Sequence, residues 1–324
     1  MKFGLLLPHF GEHASREKIL EGSKRAEEVG FDSVWVRDHL VFEPHGEMEK
    51  PNREFYDALT TLTAIGAVTD RIMLGTGSLI PFRHPLVTAL MAGTITQLVG
   101  PRLILGFGAG TFDHEFEAIG WGDRDRVELV RSNAEILRRV FESNHVDYSD
   151  ANFTFSDISI EPKPVGGRVP FWYCGATPRS ARLAVEFCDG WMPGRISLLT
   201  MAKRIETMRE LSAEQDRPMP TVAVIPPTSV EETREEALEH VNIPGLLAWA
   251  NKSKFAVKPP SGSFETVEDL EGQLIAGSPD EVVAEVEKFR ALGVEHLVFD
   301  FRFKFDRWFE QIELLGAEVL PKLR

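Results

Sequence analysis

Arg102-Leu103-Ile104-Leu105-Gly106-Phe107 is a short run whose central residues are apolar without alternation, and Ile72-Met73-Leu74 repeats this pattern. A strand with water on neither face has such a sequence, and parallel strands are usually covered on both faces. Eight short apolar runs of this kind can be picked out along the chain, at residues 2–7, 33–36, 71–76, 102–107, 170–174, 190–192, 221–225 and 296–300. The sequence therefore predicts eight strands, mostly parallel.

Helical patterns lie between these runs. From Asp125 to Glu142, apolar residues recur every three or four positions, as they do on one buried helix face. Ser278-Pro279-Asp280-Glu281 is a strong helix start, with a capping serine, a proline in the first turn and a glutamate that completes a capping box. Eight strand–helix repeats predict an α/β fold, a single (β/α)8 TIM barrel domain over residues 1–324. An open doubly wound sheet is the alternative that the strand count alone leaves open.

Two stretches interrupt the alternation. Residues 144–165 follow the fourth predicted strand and end in the proline-rich Glu161-Pro162-Lys163-Pro164. Residues 241–276 follow the seventh strand and contain Trp249 and Pro259-Pro260. Because long insertions in compact domains are usually functional lids or disordered segments, we predict that 241–276 closes over the site.

The composition restricts the partners. The net charge is −14, from 50 acidic and 36 basic residues, and no run of Lys and Arg offsets it, so nucleic acid and anionic membrane surfaces are poor partners. No stretch approaches the ~20 apolar residues that a membrane helix needs. The apolar N-terminal run ends in Pro8-His9 and is too short for a signal peptide. These features predict a cytoplasmic protein whose partners are neither nucleic acids nor membranes.

Candidate catalytic residues lie where the strands lead into their following loops, because that is where barrel active sites are found. Asp38 and His39 directly follow the second strand. A histidine at such a position can move a proton near neutral pH. By position alone, a structural histidine hydrogen-bonded within its loop explains His39 equally well.

Glycines mark three other strand exits. Gly75 and Gly77 would allow the backbone to approach a flat ring closely, although a simple turn explains them too. Gly106-Phe107-Gly108-Ala109-Gly110 lacks the third glycine of the dinucleotide fingerprint, which argues against a Rossmann fold. Gly175-Ala176-Thr177-Pro178 opens a helix whose first turn could bind a phosphate or could simply be capped.

Several other chemistries lack their motifs. The chain has neither a phosphate-binding P-loop nor the G-x-S-x-G elbow of serine hydrolases. His114-Glu115 is not followed by a second histidine at zinc-protease spacing, and the nine histidines are scattered. We therefore expect no metal site.

Taken together in their order along the chain, these stretches resemble the luciferase-like monooxygenase superfamily, which includes coenzyme F-420-dependent oxidoreductases. The resemblance covers nearly the whole chain. Its most specific pieces are the run from Ala26 to Val36 that leads into Asp38-His39, Asp57-Ala58-Leu59-Thr60-Thr61-Leu62, the run from Thr69 to Gly77, Pro81-Phe82-Arg83-His84-Pro85, Arg102-Leu103-Ile104-Leu105-Gly106, Glu161-Pro162-Lys163-Pro164 and Cys188-Asp189-Gly190-Trp191.

The resemblance implies a barrel that binds a reduced flavin or deazaflavin, with His39 as the catalytic residue beside the redox-active ring. It also implies a bulge near Gly77-Ser78, often with a non-proline cis peptide, that supports the ring from behind. The cofactor-binding residues implied are Asp38, His39, Thr76, Gly77, Ser78, Gly108, Ala109, Gly110, Gly175, Ala176 and Thr177. Phe10, Phe112 and Trp191 are the candidate aromatic walls of the substrate site, although aromatic residues beside strands more often belong to the core.

The activity expected from the resemblance is hydride transfer between coenzyme F-420 and a small organic substrate. One alternative is an FMN-dependent monooxygenase supplied by a flavin reductase partner, and a second is a non-catalytic flavin-binding protein. A homodimer is expected. Thr111 departs from the family pattern, because some deazaflavin relatives have a glutamate after the glycine run that ends at Gly110. Any mechanism that needs a carboxylate at this position, including sugar-phosphate oxidation, is therefore in doubt.

Overall fold

A computed structural model describes residues 1–45, 49 and 51–324. Eight of its strands form a closed parallel barrel in the order β1-β12-β9-β8-β7-β4-β3-β2, so the predicted TIM barrel is confirmed. The strands within the described residues are β1 (Lys2–Leu6), β2 (Ser33–Val36), β3 (Met73–Thr76), β4 (Leu103–Phe107), β5 (Val146–Ser149), β6 (Thr154–Ile158), β7 (Phe171–Tyr173), β8 (Gly190–Trp191), β9 (Thr221–Val224), β10 (Thr228–Val230), β11 (Ile275–Gly277) and β12 (His296–Phe299).

Helices surround the barrel and begin where the sequence predicts caps. Asp125 caps its helix by accepting from two backbone N–H groups, and Ser278 and Glu281 form the predicted capping box. None of the helices in the described residues is both long and apolar enough to cross a membrane. The helices are α1 (Arg16–Val29), α2 (Ala58–Gly66), α3 (Pro85–Val99), α4 (Asp113–Ala118), α5 (Arg126–Glu142), α6 (Pro178–Phe187), α7 (Leu198–Glu214), α8 (Arg234–Glu239), α9 (Ile243–Lys252), α10 (Pro279–Leu292), α11 (Trp308–Leu314) and α12 (Leu320–Leu323).

The barrel interior is filled by side chains around two tryptophans. The ring centroids of Trp35 and Trp172 are 5.2 Å apart, and that of His296 is 5.5 Å from Trp35. The Ser33 hydroxyl accepts from Trp35 Nε1 at 2.8 Å and lies 2.7 Å from His296 Nε2. Since that hydroxyl can then donate to His296 Nε2, the histidine is held as a neutral ring within the packed core.

The buried histidine makes stability depend on pH. Burial lowers the pKa of His296 to about 3, whereas the unfolded chain takes up a proton near pH 6.5. The free energy of unfolding should therefore fall as the pH drops below 6.5, with His296 accounting for about 2 kcal/mol at pH 5. Urea unfolding of the wild type and of His296→Gln at pH 7.5 and pH 5 measures this, and equal losses in the two proteins would contradict it.

The two predicted insertions are both structured. Residues 144–165 contain an antiparallel pair formed by β5 and β6. Beyond it, the chain passes so close to α3 that a Cβ built on Gly93 would lie 2.0 Å from the carbonyl oxygen of Pro162. The glycine is therefore what allows α3 and this segment to touch.

The second insertion begins earlier than predicted. Pro226 and Pro227 follow β9, and the chain then enters β10, which pairs in parallel with β11. Strand β10 (Thr228–Val230) belongs to the second insertion, so the insertion begins before residue 241, where the sequence pattern placed its start. The segment has a small core of its own, formed by Ala237, Val241, Leu246, Ala250, Phe264, Leu270, Leu274 and Ala276.

Candidate functional site

Two adjoining cavities lie at the ends where the barrel strands enter their loops. We call the first, of about 370 Å3 and lined by residues from Arg37 to Ser180, the cleft. The second, of about 550 Å3 and lined by residues from Leu6 to Arg302, is called the chamber. Five residues line both cavities, so that the cleft opens into the chamber: Arg37, His45, Gly77, Thr111 and Gly175.

Most of the predicted cofactor residues lie together. The cleft is lined by Asp38, His39, Gly77, Ser78, Gly108, Ala109, Gly110, Gly175 and Thr177, and Ala176 lines the chamber. The Gly77–Ser78 peptide is cis, at the position that the resemblance implies. A Cβ on Gly108 would lie 2.3 Å from the Ser78 hydroxyl, so a side chain at Gly108 would close this side of the cleft.

Thr76 does not belong with these residues. Its side chain is fully buried, and its hydroxyl donates to the Gly106 carbonyl and accepts from the Gly106 N–H, both at 2.9 Å. The prediction that Thr76 contacts a cofactor is therefore corrected. Its hydroxyl is used to join β3 to β4.

His39 is oriented by a buried carboxylate. Nδ1 of His39 lies 3.1 Å from the Glu115 carboxylate, which can only accept, so this nitrogen carries the proton. Burial alone would raise the pKa of Glu115, but the hydrogen bond with His39 and the N–H groups of Leu40 and Val41 hold it below its usual range. Nε2 of His39 is left as the acceptor, and among the described residues its one polar contact is a long 3.4 Å approach to Arg37.

Sequence reasoning missed Glu115, having considered it only as part of a zinc-protease motif with His114. Glu115 lies on α4, three residues after Phe112, and nothing in this position indicates that its partner His39 is in the loop that follows β2. Glu115 is completely buried, and a charged residue is rarely buried without a partner. Only the closure of the barrel brings the two loops together.

The Asp38 carboxylate is held within the protein. Arg83 donates to both of its oxygens, at 2.7 and 3.0 Å, and Ile80 N–H donates at 3.0 Å. Although burial alone would lower the pKa of Arg83, Asp38 and Asp57 raise it, so this arginine stays charged. Asp38 therefore fixes the second and third strand exits relative to each other at the edge of the cleft.

A buried network of charges lies at the boundary where the cleft opens into the chamber. Glu49 lies 2.7 Å from Arg37 and 3.0 Å from Arg302, and Arg302 also pairs with Asp300 at 2.6 Å. Burial alone would raise the pKa of Glu49, but hydrogen bonding from His45 and attraction to the two arginines hold it far below its usual range. No local pattern indicates this network, because Glu49 and Arg302, which pair in it, are 253 residues apart in the chain.

The three candidate aromatic walls lie in different places. Trp191 is completely buried and its Nε1 donates to the Gly175 carbonyl at 2.9 Å, so it supports the fifth strand exit rather than lining the chamber. Phe10 is buried against the Arg37 guanidinium, 4.5 Å from its ring centroid, and lines a separate cavity. Phe112 packs against the ring of His45, at 4.8 Å. None of the three side chains lines the cleft or the chamber, so the structure places neither Phe10, Phe112 nor Trp191 in the wall of the substrate site.

The outer wall of the chamber comes from the second insertion. Its lining residues there are Trp249, Ala250, Lys252, Ser253, Phe255, Ala256 and Gln273. The Arg195 guanidinium lies 4.5 Å from the Trp249 ring centroid. Burial lowers the pKa of Arg195 to about 9, which still leaves it charged at neutral pH. The insertion thus lies where a lid would lie, and its closure stays a prediction.

The described residues contain no group of three or more His, Cys, Asp or Glu side chains that could hold a metal ion. Cys174 lines the cleft, but burial raises the pKa of its thiol, so it stays protonated at neutral pH. The site therefore offers hydrogen-bonding groups, a histidine–carboxylate pair and glycine-lined surfaces.

A closed (β/α)8 barrel with a glycine-lined cleft that opens into a second chamber belongs to the class of barrel enzymes that act at the ends of their strands. The family model described as luciferase-like monooxygenase matches residues 1–296, and the chain belongs to that family.

Individual relatives agree with this assignment. The chain is 28% identical to an F-420-dependent glucose-6-phosphate dehydrogenase of Microbacterium testaceum, with 97% of each chain covered. A solved F-420-dependent secondary alcohol dehydrogenase, in complex with an F-420–acetone adduct, superposes with a TM-score of 0.80 at 22% identity, covering 100% of this chain and 99% of that one. The FMN complex of the oxygenating constituent of 3,6-diketocamphane monooxygenase from Pseudomonas putida superposes with a TM-score of 0.78 at 20% identity, with the same coverage.

Proposed function

We propose that this protein transfers a hydride between coenzyme F-420 and a small organic substrate. The observation that carries the proposal is that the cleft opens into the chamber along five shared residues. A ligand in the cleft would therefore contact a ligand in the chamber without an intervening wall. The names of the relatives support F-420 as the ligand of the cleft.

The residues present fit a planar coenzyme. Gly77, Gly108 and Gly110 present backbone to the cleft, and a Cβ on Gly108 would fill space next to Ser78. Thr177 caps α6, whose first turn borders the cleft and would suit the coenzyme phosphate. When bound, the deazaflavin supplies a site that accepts or donates a hydride. The protein contributes orientation, exclusion of water and the proton-handling groups.

Thr111 bears on the substrate. It lines both cavities at the position where some deazaflavin relatives have a glutamate, and its hydroxyl does not titrate near neutral pH. We therefore do not assign glucose 6-phosphate as the substrate, although the dehydrogenase of M. testaceum is named for it.

FMN is the second candidate. It is favoured by the FMN complex of the P. putida enzyme, and the glycine-lined cleft has no feature that selects against its ring. With FMN, the activity would be an oxygen-dependent monooxygenation that needs a reductase partner. The His39–Glu115 pair argues against the third possibility, a non-catalytic flavin-binding protein, because a carrier has no need of an oriented histidine in its cleft.

Coenzyme binding tests the proposal directly. Titration of the protein with oxidised F-420 and, separately, with FMN is followed by fluorescence. We expect micromolar binding of F-420 and binding of FMN at least tenfold weaker. A preference for FMN would move the assignment to the monooxygenase, and binding of neither would overturn both.

We also propose that the protein is a homodimer and that it acts in the cytoplasm. Helix α3 exposes three large apolar side chains, Val87, Leu90 and Leu98, with 49%, 45% and 69% of their surface accessible. Such a face is costly in water unless it is covered. Light scattering after size exclusion should give twice the chain mass at micromolar concentration, and Leu90→Glu should shift the protein toward monomer. A wild-type protein that stays monomeric as its concentration is raised well above this range would contradict the proposal.

A further inference from the structure

His45 stands at the boundary of the two cavities. Its side chain lines both the cleft and the chamber. Its ring packs against Phe112, and its centroid is 5.3 Å from that of His39. Of the two histidines, His39 lines only the cleft, so His45 is the one that borders the chamber.

The ring of His45 is anchored through one nitrogen. Nδ1 lies 3.1 Å from the Glu49 carboxylate and 2.8 Å from the Arg37 guanidinium. The backbone N–H of His45 donates to the same Glu49 oxygen at 2.9 Å. Glu49 is itself fixed between Arg37 and Arg302, so the imidazole is held in a defined orientation.

These two contacts at Nδ1 cannot both be hydrogen bonds at once. If Nδ1 carries the proton, it donates to Glu49 and Nε2 is a proton acceptor. If Nδ1 is unprotonated, it accepts from Arg37 and Nε2 carries a proton that it can donate. Among the residues that the structure describes, Nε2 has no hydrogen-bond partner. The same anchoring therefore permits Nε2 to take up a proton or to release one.

We propose that His45 is a catalytic residue that exchanges a proton with the oxygen on the reacting carbon, and that the substrate is an alcohol–carbonyl pair. This rests on the proposed function, which supplies the hydride acceptor. In the oxidising direction the substrate C–H bond breaks and the hydride, with both electrons, leaves to the deazaflavin. The O–H bond breaks, its proton goes to Nε2 of His45, and the carbonyl remains. In the reducing direction each transfer is reversed.

The electrostatic surroundings are consistent with this role. Burial lowers the pKa of His45 to about 4, Glu49 opposes the shift, and Arg37 and His39 add to it. His45 is therefore neutral at pH 7 and able to accept a proton. The imidazolium that forms would lie against the ionised Glu49, which stabilises it for the lifetime of the carbonyl product.

The first test uses the isolated protein without coenzyme. In protein labelled with [13C,15N]-histidine, the signal that is absent from His45→Gln belongs to His45. We expect this signal to titrate near pH 4 and to shift when acetone or propan-2-ol is added at neutral pH. A signal that titrates near pH 6.5, or that neither probe shifts, would overturn the placement of Nε2 in the chamber.

The second test compares variants with F-420 bound. The affinity for F-420, measured by fluorescence, should change less than threefold in His45→Gln, which separates this inference from the proposed function. The kcat for oxidation of propan-2-ol, butan-2-ol or cyclohexanol should fall at least 30-fold with KM nearly unchanged, because general acid–base groups contribute about 10²–10⁴-fold. Added imidazole should restore at least fivefold activity to His45→Ala.

The pH profile distinguishes a catalytic from a purely structural role. Wild-type kcat should decline as the pH falls through about 4, and this limb should be absent from His45→Gln. Retention of more than a third of the wild-type kcat in His45→Gln would overturn the proposal. So would a wild-type protein that binds F-420 but oxidises none of the three alcohols.

Discussion

His39→Ala should lower kcat by about 100-fold or more while the affinity for F-420 changes less than threefold. Nδ1 of His39 is committed to Glu115, and its Nε2, with only the 3.4 Å contact to Arg37, is the atom left for a ligand in the cleft. Removing the ring takes away the group that would face a coenzyme bound in the cleft, but it leaves the glycine surfaces of the cleft intact. Steady-state kinetics and fluorescence titration of the same preparation measure the two quantities.

Glu115→Gln is the matched variant. It keeps the size of the side chain and the buried position, but it removes the charge that fixes the proton on Nδ1. We expect an intermediate loss, on the order of tenfold, because the histidine remains but its orientation is less restricted. Full turnover in His39→Ala with normal coenzyme binding would refute the role assigned to His39.

Gly93→Ala should destabilise the protein by about 3 kcal/mol. An alanine in the middle of a helix usually stabilises by about 1 kcal/mol relative to glycine. Here the added Cβ would lie 2.0 Å from the carbonyl oxygen of Pro162 and 3.1 Å from its carbonyl carbon. Both are backbone atoms, so that the clash can be relieved only by moving α3 away from the segment around Pro162. The sign of the usual effect is therefore reversed.

Urea unfolding at pH 7.5 measures this loss, with Gly194→Ala as the control. A Cβ on Gly194 would meet no atom within 4 Å, so that substitution should change the free energy of unfolding by less than about 0.5 kcal/mol. An unchanged or higher stability of Gly93→Ala would mean that α3 and the Pro162 segment are not in contact.

The barrel could be predicted because each of its strands and helices is indicated by a short stretch of neighbouring residues. Buried parallel strands such as β4 have continuous apolar runs, and caps such as Ser278 mark where helices begin. The exits of these strands were therefore correctly located, and with them most of the residues that line the cleft. The prolines after β9 could have indicated where the second insertion begins, but nothing local indicated that β10 pairs with β11.

The site was harder to predict, because it depends on which side chains meet across distant loops. Thr76 and Gly77 are neighbours, yet one is turned into the β3–β4 interface and the other into both cavities. Trp191 lies at a strand end but is covered on all sides. Glu115, the partner of His39, and Glu49, the partner of His45, do not lie in any recognisable sequence motif. They are recognisable only once the structure shows carboxylates buried beside imidazoles.

The second insertion has a core of its own, whereas the β2 loop is tied to the barrel by ion pairs through Asp38, Glu49 and Arg37. The chamber is therefore bounded by two parts with separate sources of stability. Substitutions at Phe255 can reshape the outer wall of the chamber without removing any of the charges around His39 and His45. Trp249 is different, because it contacts the Arg195 guanidinium, which interacts with Glu49 and Arg302. Because the two parts are stabilised separately, the insertion can change in evolution and admit new substrates while the reaction carried out in the cleft stays the same. The insertion is therefore also the segment to exchange when chimeras of related enzymes are made.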